Sequence, residues 1–152
     1  MTTELSISDT AARLKAHFGE GVAPAGDGLA TSPELLPRVA GYLRDTAGFD
    51  FDFLDMMAAV DYADRFELVY RLLSLKHNHT LTLRVNCDKN KAVVPSLAGL
   101  WQGADLQERE IYDLFGISFN GHPNLKRIVL WEGFEGHPLR KDFKDGAYGA
   151  GD

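Results

Sequence analysis

Glycine and proline interrupt the last quarter of the chain so often that it cannot form a regular helix or strand of ordinary length. They break it at Gly121, Pro123, Gly133, Gly136, Pro138, Gly146 and Gly149. The same stretch carries Phe119, Leu125, Ile128, Val129, Leu130, Trp131, Phe134, Leu139 and Phe143. Burying apolar surface is worth about 25 cal/mol per Å², so this surface should not stay in water. We expect residues 117–152, termed the tail, to be extended and to cover either the chain's own domain or, as their length favours, a partner chain.

Helical patterns occur at three places before the tail. The first runs from Ser8, which can act as the cap, to Gly19, and the second opens at Ser32-Pro33 and ends at Gly48. The third has the form of a capping box, Asp105 followed by Glu108, and ends at Gly116. The inward positions of the three helices would be Ala11, Leu14 and Phe18, then Leu36, Val39, Ala40, Leu43 and Ala47, then Ala104, Ile111, Leu114 and Phe115.

Strand patterns lie between the second and third helices. Phe53 to Val60 is a short apolar run, and Phe66 to Leu75 is a second candidate strand. Apolar and polar residues alternate from Leu81 to Cys87, which predicts a strand with one face in water. The polar turn at residues 61–64 follows the first run, and the loop at residues 76–79 joins the last two strands as a hairpin.

The remaining segments before the tail have the composition of connections. Residues 21–28 are rich in turn-forming residues, and residues 93–96 lead into a loop that contains Trp101. The order helix, helix, strand, strand, strand, helix predicts a two-layer α+β domain over residues 1–116. In this domain a small mixed sheet, mostly antiparallel, packs on the helices, and residues 117–152 follow as an extended docking tail.

Charge and cysteine content argue against several classes of function. The chain has 16 Lys and Arg against 22 Asp and Glu, a net charge of -6, so we expect no nucleic-acid partner. Cys87 is the only cysteine, and one thiolate cannot hold an iron–sulfur cluster or a structural zinc ion. The sequence shows no secretory signal pattern and no apolar run near the roughly 20 residues that span a bilayer. We expect a cytoplasmic chain without its own cofactor that reaches a membrane only through partners.

The third helix concentrates charge in the run from Glu108 to Asp113. Arg109 and Asp113 are four residues apart and should be neighbours on the helix surface. A solvated helix face would explain the pattern, and so would a face that meets a partner, with Arg109 forking onto a carboxylate. Paired carboxylates for catalysis fit less well, because Glu108 and Glu110 are two residues apart and point in different directions.

The tail contains Gly-His-Pro twice, at residues 121–123 and 136–138, and each copy predicts a tight turn around one imidazole. His77 and His79 belong to the hairpin loop and are expected to be exposed. None of these histidines has a nearby third ligand, so we expect no metal site. Arg140, Lys141 and Asp142 follow the second turn, and such alternating charges would set the register of a docked segment against an oppositely charged surface.

Taken together, these motifs resemble the 30 kDa subunit family of complex I, the respiratory NADH-quinone oxidoreductase. The resemblance covers about residues 53–143. It rests on the run Glu108 to Ile117, Phe119, Gly121-His122-Pro123, Leu125, Arg127-Ile128, Trp131-Glu132-Gly133 and the run Gly136 to Phe143, with Arg65-Phe66-Glu67 and Leu73-Ser74-Leu75-Lys76 in the strands. The run at residues 129–136 departs from the family, which usually places Trp-Glu-Gly directly before His-Pro.

The resemblance implies a non-catalytic subunit of the hydrophilic arm of a proton-translocating NADH-quinone oxidoreductase, peripheral on the cytoplasmic side of the cell membrane. Its partners would be the hydrogenase-like large subunit of the 49 kDa type and the small subunit that holds the terminal iron–sulfur cluster. FMN and iron–sulfur clusters would belong to partner subunits. Carried over position by position, the residues that contact partners or fix the fold would be Glu108, Arg109, Glu110, Asp113, His122, Arg127, Trp131, His137, Arg140, Lys141 and Asp142.

Two other hypotheses stay open. The same scaffold role could belong to a related membrane-bound hydrogenase, a formate hydrogenlyase or an oxidoreductase fed by ferredoxin. A freestanding hydrolase that uses a histidine with Glu108 or Glu110 is the hypothesis from a different class, and the sequence supplies no nucleophile in a recognisable context for it.

Overall fold

A mixed six-stranded β-sheet forms the centre of the fold. The computed structural model describes residues 3–128, 130 and 135–142. In chain order its elements are β1 (Thr3–Glu4), α1 (Ile7–Phe18), a 3₁₀ turn (Gly19–Gly21), β2 (Val22–Ala25), β3 (Gly28–Thr31), α2 (Leu36–Asp45), β4 (Phe53–Asp61), β5 (Arg65–Ser74), β6 (His79–Asp88), β7 (Val93–Pro95), α3 (Ala104–Phe115) and β8 (Ser118–Asn120). The sheet order is β2-β3-β6-β5-β4, and β1 also pairs with β6.

Three long antiparallel strands, β4, β5 and β6, make up one side of the sheet, with β4 at its edge, and confirm the predicted strands. β5 and β6 pair without interruption from Arg65 opposite Asp88 to Ser74 opposite His79. β1 and β3 both run parallel to β6, which makes the sheet mixed as predicted. The α+β class predicted from the order of elements is therefore confirmed.

Residues 21–28 are not simply a link, because they hold β2 and the start of β3. These two short strands form an antiparallel hairpin that turns at Gly26 and Asp27. β3 then joins the sheet through its parallel pairing with β6, from Leu29 opposite Leu83 to Thr31 opposite Val85. The pairing partner lies more than fifty residues away, so no local pattern at residues 21–28 could reveal it.

The three helices occur where they were predicted, but the start of α1 and both ends of α2 differ from the prediction. The side chain of Ser6, rather than Ser8, caps α1 by accepting the Asp9 N–H. Ala47 was expected to face inward, but α2 ends at Asp45 and Ala47 is exposed. None of the helices in the described part of the chain combines the length and the apolar character of a membrane-spanning segment.

The helices pack against one face of the sheet and enclose a single core. Leu14 of α1 and Leu43 of α2 are completely buried together with Leu68 and Tyr70 of β5. The alternation along β5 and β6 explains this arrangement, because every second side chain points into the core. The opposite face is open, and on β4 it carries the exposed side chain of Met56.

The tail begins inside this core rather than outside it. β8 pairs in parallel with β7, whose residues were expected only to lead into a loop. Ile117 is completely buried and Phe119 is 2% exposed. Some of the tail's apolar surface is thus covered by the chain's own domain, the less favoured of the two expected surfaces.

Two glycine substitutions test the hairpin and the close approach of β3 to β6. A methyl group at Gly28 would collide with the backbone carbonyl of Thr82, so Gly28→Ala should lower the free energy of unfolding by about 2 kcal/mol. Gly41 lies within α2 and has nothing within 4 Å of the same methyl position. Gly41→Ala should therefore raise the free energy by about 0.5–1 kcal/mol. Urea unfolding measures both values, and equal effects of the two substitutions would contradict the parallel pairing of β3 and β6.

Candidate partner-docking surface

The carboxylate of Asp113, near the end of α3, binds the tail. Its side chain is completely buried. Oδ1 accepts from Nε of Arg127, and Oδ2 accepts the backbone N–H groups of Ile128 at 3.0 Å and Leu130 at 2.9 Å. A buried carboxylate requires such partners, and hydrogen bonds to an ionised group are stronger than neutral ones. Asp113 therefore fixes this part of the tail on the chain itself.

The tail also satisfies the carbonyl groups that α3 leaves without helical partners at its C-terminus. The Asp113 carbonyl oxygen accepts from Nη2 of Arg127 at 2.8 Å and from Nδ1 of His137 at 2.9 Å. The Leu114 carbonyl oxygen accepts the Leu139 N–H at 2.9 Å. Asp113, Arg127 and His137 are termed the clasp, because they bind two separate tail segments to one helix end.

Gly116 allows the clasp to close. It ends α3 in the left-handed conformation, with φ of +77°, as predicted. A methyl group on it would lie 2.6 Å from Cδ2 of His137, so the ring occupies the space that any other residue would need. Gly116 therefore ends α3 and also lets the second Gly-His-Pro turn lie close against the end of that helix.

A second buried carboxylate, Glu108, binds the connection that precedes α3. Its side chain is 0% exposed, and it accepts the Ser96 hydroxyl at 2.6 Å and the Leu97 N–H at 2.7 Å. Burial raises the pKa of Glu108, and these two hydrogen bonds oppose that effect. The predicted capping box is therefore wrong: α3 begins after Gly103 without a side-chain cap, and Glu108 turns into the core. Its two tertiary hydrogen bonds replace the local one that the pattern suggested.

His122 joins the first Gly-His-Pro turn to the N-terminal half of α3. Its ring is completely buried, and Nε2 lies 3.0 Å from Oδ1 and 3.2 Å from the carbonyl oxygen of Asp105. Oε1 of Glu108 is 4.0 Å from the same nitrogen. The first Gly-His-Pro turn is thus held beside the carboxylates of Asp105 and Glu108.

Asp61, at the end of β4, binds the far end of the described tail. It is 5% exposed, accepts the Lys141 N–H at 2.8 Å and forms an ion pair with Lys89. Burial would raise the pKa of Asp61, but the Lys141 N–H and the Lys89 ammonium outweigh burial and hold the pKa below its ordinary value. Strand and tail are therefore linked across 80 positions of sequence.

Arg140 and Asp142 form a local pair beside this link. The guanidinium donates to both carboxylate oxygens of Asp142, at 2.8 and 2.9 Å. This hydrogen bonding lowers the pKa of Asp142. The guanidinium carbon of Arg140 also lies 5.0 Å from the centre of the Phe66 ring, a favourable position for a cation over an aromatic face.

Several predicted site residues lie inside the chain or bind it. Glu108, Asp113 and His122 have buried side chains whose polar groups bond within the described structure. The expected surface pairing of Arg109 with Asp113 is wrong, because Asp113 binds Arg127 while Nε of Arg109 donates to the Lys126 carbonyl. Trp131 lies outside the described residues.

Other predicted residues remain open to solvent. Glu110, Lys141 and Asp142 are exposed, and Arg109 and Arg140 are half-buried. His79, expected to be exposed in its loop, is 6% exposed, and its Nε2 lies 2.9 Å from the Phe49 carbonyl oxygen.

Three large apolar side chains point into solvent from α3 and from the tail segments bound to it. Leu106 is 57% exposed, Ile128 is 41% exposed and Leu139 is 53% exposed. The charged side chains of Glu110 and Lys126 are exposed on the same helix and tail. These five exposed residues of α3 and of the tail segments bound to it are termed the docking surface, since protein interfaces combine exposed apolar residues with a polar rim.

The sequence singled out only part of this arrangement. Ser96 and Lys89 carried no signal, because each acts on a carboxylate far along the chain. Among the described residues, no group of three histidine, cysteine, aspartate or glutamate side chains could hold a metal ion. That the chain carries no cofactor stays a prediction.

Loss of the clasp should free the tail. Arg127→Ala leaves a buried carboxylate without its cation, a change that typically costs about 3–5 kcal/mol. We expect chymotrypsin to cleave the tail at least about tenfold faster in this variant. Lys126→Ala removes the neighbouring exposed cation and should leave the cleavage rate unchanged. Equal rates in the two variants would show that Arg127 does not hold the tail.

The link between Asp61 and the tail should depend on pH. Because the pKa of Asp61 is lowered, its stabilisation is complete above the ordinary value of 3.8 and is lost as the pH falls through the lower folded value. Asp61→Asn should therefore be less stable than the wild type at about pH 7, and the difference should shrink at about pH 3. Urea unfolding at both pH values measures it. Asp64→Asn, whose side chain is 77% exposed, should show little difference at either pH.

Known proteins show the same sequence pattern and the same fold. Residues 29–148 match the family described as the respiratory-chain NADH dehydrogenase 30 kDa subunit. A relative from Roseiflexus sp. (strain RS-1), named as a subunit of NADH-quinone oxidoreductase, is 48% identical over 118 residues, which are 76% of this chain and 68% of that protein. The subunit of the same name from Azorhizobium caulinodans is 44% identical over 118 residues, 76% of this chain and 56% of that protein.

Solved structures agree with this assignment. A trypsin-resistant fragment (1–134) of Nqo5 matches with a TM-score of 0.61 and 27% identity, over 79% of this chain and 100% of the fragment. A chain of the membrane-bound sulfane sulfur reductase, an archaeal respiratory membrane complex, matches with a TM-score of 0.71 over 94% of this chain and 89% of that chain. Its identity of 18% supports the fold alone. The family match and the relatives together show that this chain belongs to the respiratory-chain NADH dehydrogenase 30 kDa subunit family.

Proposed function

We propose that this chain is a structural subunit of the hydrophilic arm of a proton-translocating NADH-quinone oxidoreductase. In that role it would hold neighbouring subunits in place while electrons pass from NADH through their iron–sulfur clusters to quinone. The relatives named as subunits of this enzyme support the assignment. The observation that carries it in this chain is the docking surface, in which three large apolar side chains are exposed on a helix and on a tail that the chain itself holds in place.

The docking surface has the composition that a protein partner requires. Burial against a partner would stabilise the complex by about 25 cal/mol for each Å² of apolar surface covered on Leu106, Ile128 and Leu139. Exposed charges at Glu110 and Lys126 would form the rim, where they add specificity more than affinity. A second protein surface therefore suits these residues better than a small ligand.

The clasp would prepare this surface before the partner arrives. Arg127 and the N–H groups of Ile128 and Leu130 bind Asp113, so the tail need not be ordered from a free chain during docking. Preorganisation reduces the entropy lost on association. The trypsin resistance of the related Nqo5 fragment supports a body that is compact on its own.

The expected partners are the hydrogenase-like large subunit of the 49 kDa type and the small subunit that holds the terminal iron–sulfur cluster. FMN and the clusters would belong to partner subunits, and this chain would contribute no catalytic group. Its attachment to the cytoplasmic side of the membrane would then pass through those partners. A similar role in a related membrane-bound hydrogenase, a formate hydrogenlyase or a ferredoxin-fed oxidoreductase is the alternative.

Charge substitutions on the docking surface should weaken assembly without unfolding the chain. Ile128→Asp and Leu139→Asp each place a carboxylate where we expect an apolar contact, and should reduce recovery of the partner subunits about tenfold or more. Leu75→Asp is the matched control, because Leu75 is 59% exposed in the loop between β5 and β6. The measurement is a pull-down of the tagged full chain from native membranes, with mass spectrometry and a visible absorption spectrum.

The pull-down also distinguishes a subunit of an NADH-quinone oxidoreductase from a subunit of one of the related complexes. Recovery of a hydrogenase-like large subunit with NADH-oxidising flavoprotein subunits and iron–sulfur absorbance supports the proposal. Partners without the NADH-oxidising subunits select the related complexes. A colourless chain recovered alone, or equal loss of partners in all three variants, would overturn the docking role of this surface.

A further inference from the structure

The two Gly-His-Pro turns use their histidine rings in opposite ways. Nδ1 of His122 lies 2.9 Å from the backbone nitrogen of Asn124, whose N–H donates to it. A nitrogen that accepts a hydrogen bond carries no proton, so the ring of His122 is neutral and holds its proton on Nε2. That N–H donates to the carbonyl oxygen of Asp105 at 3.2 Å, and Oδ1 of Asp105 lies 3.0 Å from Nε2 without a hydrogen bond to it.

His137 has the other arrangement. Its Nδ1 lies 2.9 Å from the carbonyl oxygen of Asp113, and a carbonyl oxygen can only accept. The ring of His137 therefore carries a proton on Nδ1. A second proton would go to Nε2 and leave the bond to Asp113 intact.

Protonation has a different consequence at His122. The second proton must go to Nδ1, where it would point at the N–H of Asn124. Two donors cannot share a hydrogen bond, so the bond that closes the turn at residues 121–124 would be lost. The completely buried ring has little freedom to move away, and Asn124, which is exposed, is the part that can.

The surroundings of His122 keep the charged ring in place. Asp105 and Glu108 of α3 are the ionisable groups within 4.0 Å of its Nε2 in the described structure. The charge on Glu108 also acts on Tyr70 of β5, where it adds to the burial that raises the pKa of the phenol. A second proton on Nδ1 leaves the proton on Nε2 in place, so the contact of Nε2 with α3 is kept while the contact of Nδ1 with the turn is lost.

We propose that His122 is a proton-operated switch at the root of the tail: the neutral ring closes the turn at residues 121–124, and the protonated ring opens it while staying bound to α3. The switch would change the direction in which the tail leaves Pro123 before it reaches the clasp. It goes beyond the proposed docking function, because it operates in the free chain and does not depend on which partner binds.

Nitrogen-15 NMR of the full, unassembled chain tests the switch. At about pH 8 the ring nitrogens should show a proton on Nε2 of His122 and on Nδ1 of His137. A titration to about pH 5 spans the range in which imidazoles are commonly protonated. As His122 becomes charged, the protection of the Asn124 amide against hydrogen exchange should fall about fivefold or more, after correction for the intrinsic rate. The Leu139 amide, next to the second turn, should keep its protection.

One substitution separates protonation from a general effect of acid. His122→Asn keeps a side-chain acceptor near the position of Nδ1 but cannot be protonated, so the Asn124 amide should stay protected at both pH values. The proposal is overturned by a proton on Nδ1 of His122 at about pH 8, by a ring that stays neutral to about pH 5, or by unchanged protection of Asn124 once the ring is charged. The wild-type titration decides the matter even where the variant does not fold.

Discussion

A buried carboxylate at the end of α3 is the constraint on which the tail depends. Asp113 has no exposed surface, and the partners described for its carboxylate, Arg127 and the N–H groups at residues 128 and 130, all come from the tail. A buried charge is tolerated only with close partners. The domain therefore depends on the hydrogen-bond donors of the tail, just as the apolar side chains of the tail depend on a surface that covers them. In this way the described part of the tail gains a fixed path, although β8 is the only helix or strand in that part.

Among the described residues of the tail, some large apolar side chains are buried and others are exposed. Ile117 and Phe119 are buried at its start, where β8 pairs with β7. Ile128 and Leu139 are exposed, although the backbone beside each of them is bonded to α3. Fixing the backbone while exposing the side chain stabilises the fold little, but it suits a surface that is completed by another protein.

The sequence predicted what local patterns determine. The alternation from Leu81 to Cys87 and the left-handed stop at Gly116 depend on neighbouring residues, and both were confirmed. Distant partners determined the rest. Glu108 followed Asp105 at capping-box spacing, but its hydrogen bonds go to Ser96 and Leu97, and tertiary bonding replaced the local rule. Of the five residues of the docking surface, only Glu110 was among the expected contact residues. Exposed Leu106 shows no pattern that separates it from a core residue.

Helix α3 connects the core to the tail because its two buried carboxylates serve different segments. Glu108 binds the connection before the helix, and Asp113 binds the chain after it. If the chain were cut before Arg127, Asp113 would become a buried charge without its cation, a change that costs about 3–5 kcal/mol in typical proteins. This cost is a large part of the about 5–15 kcal/mol by which domains are stable. Folding of the domain and presentation of the docking surface are therefore coupled through one side chain.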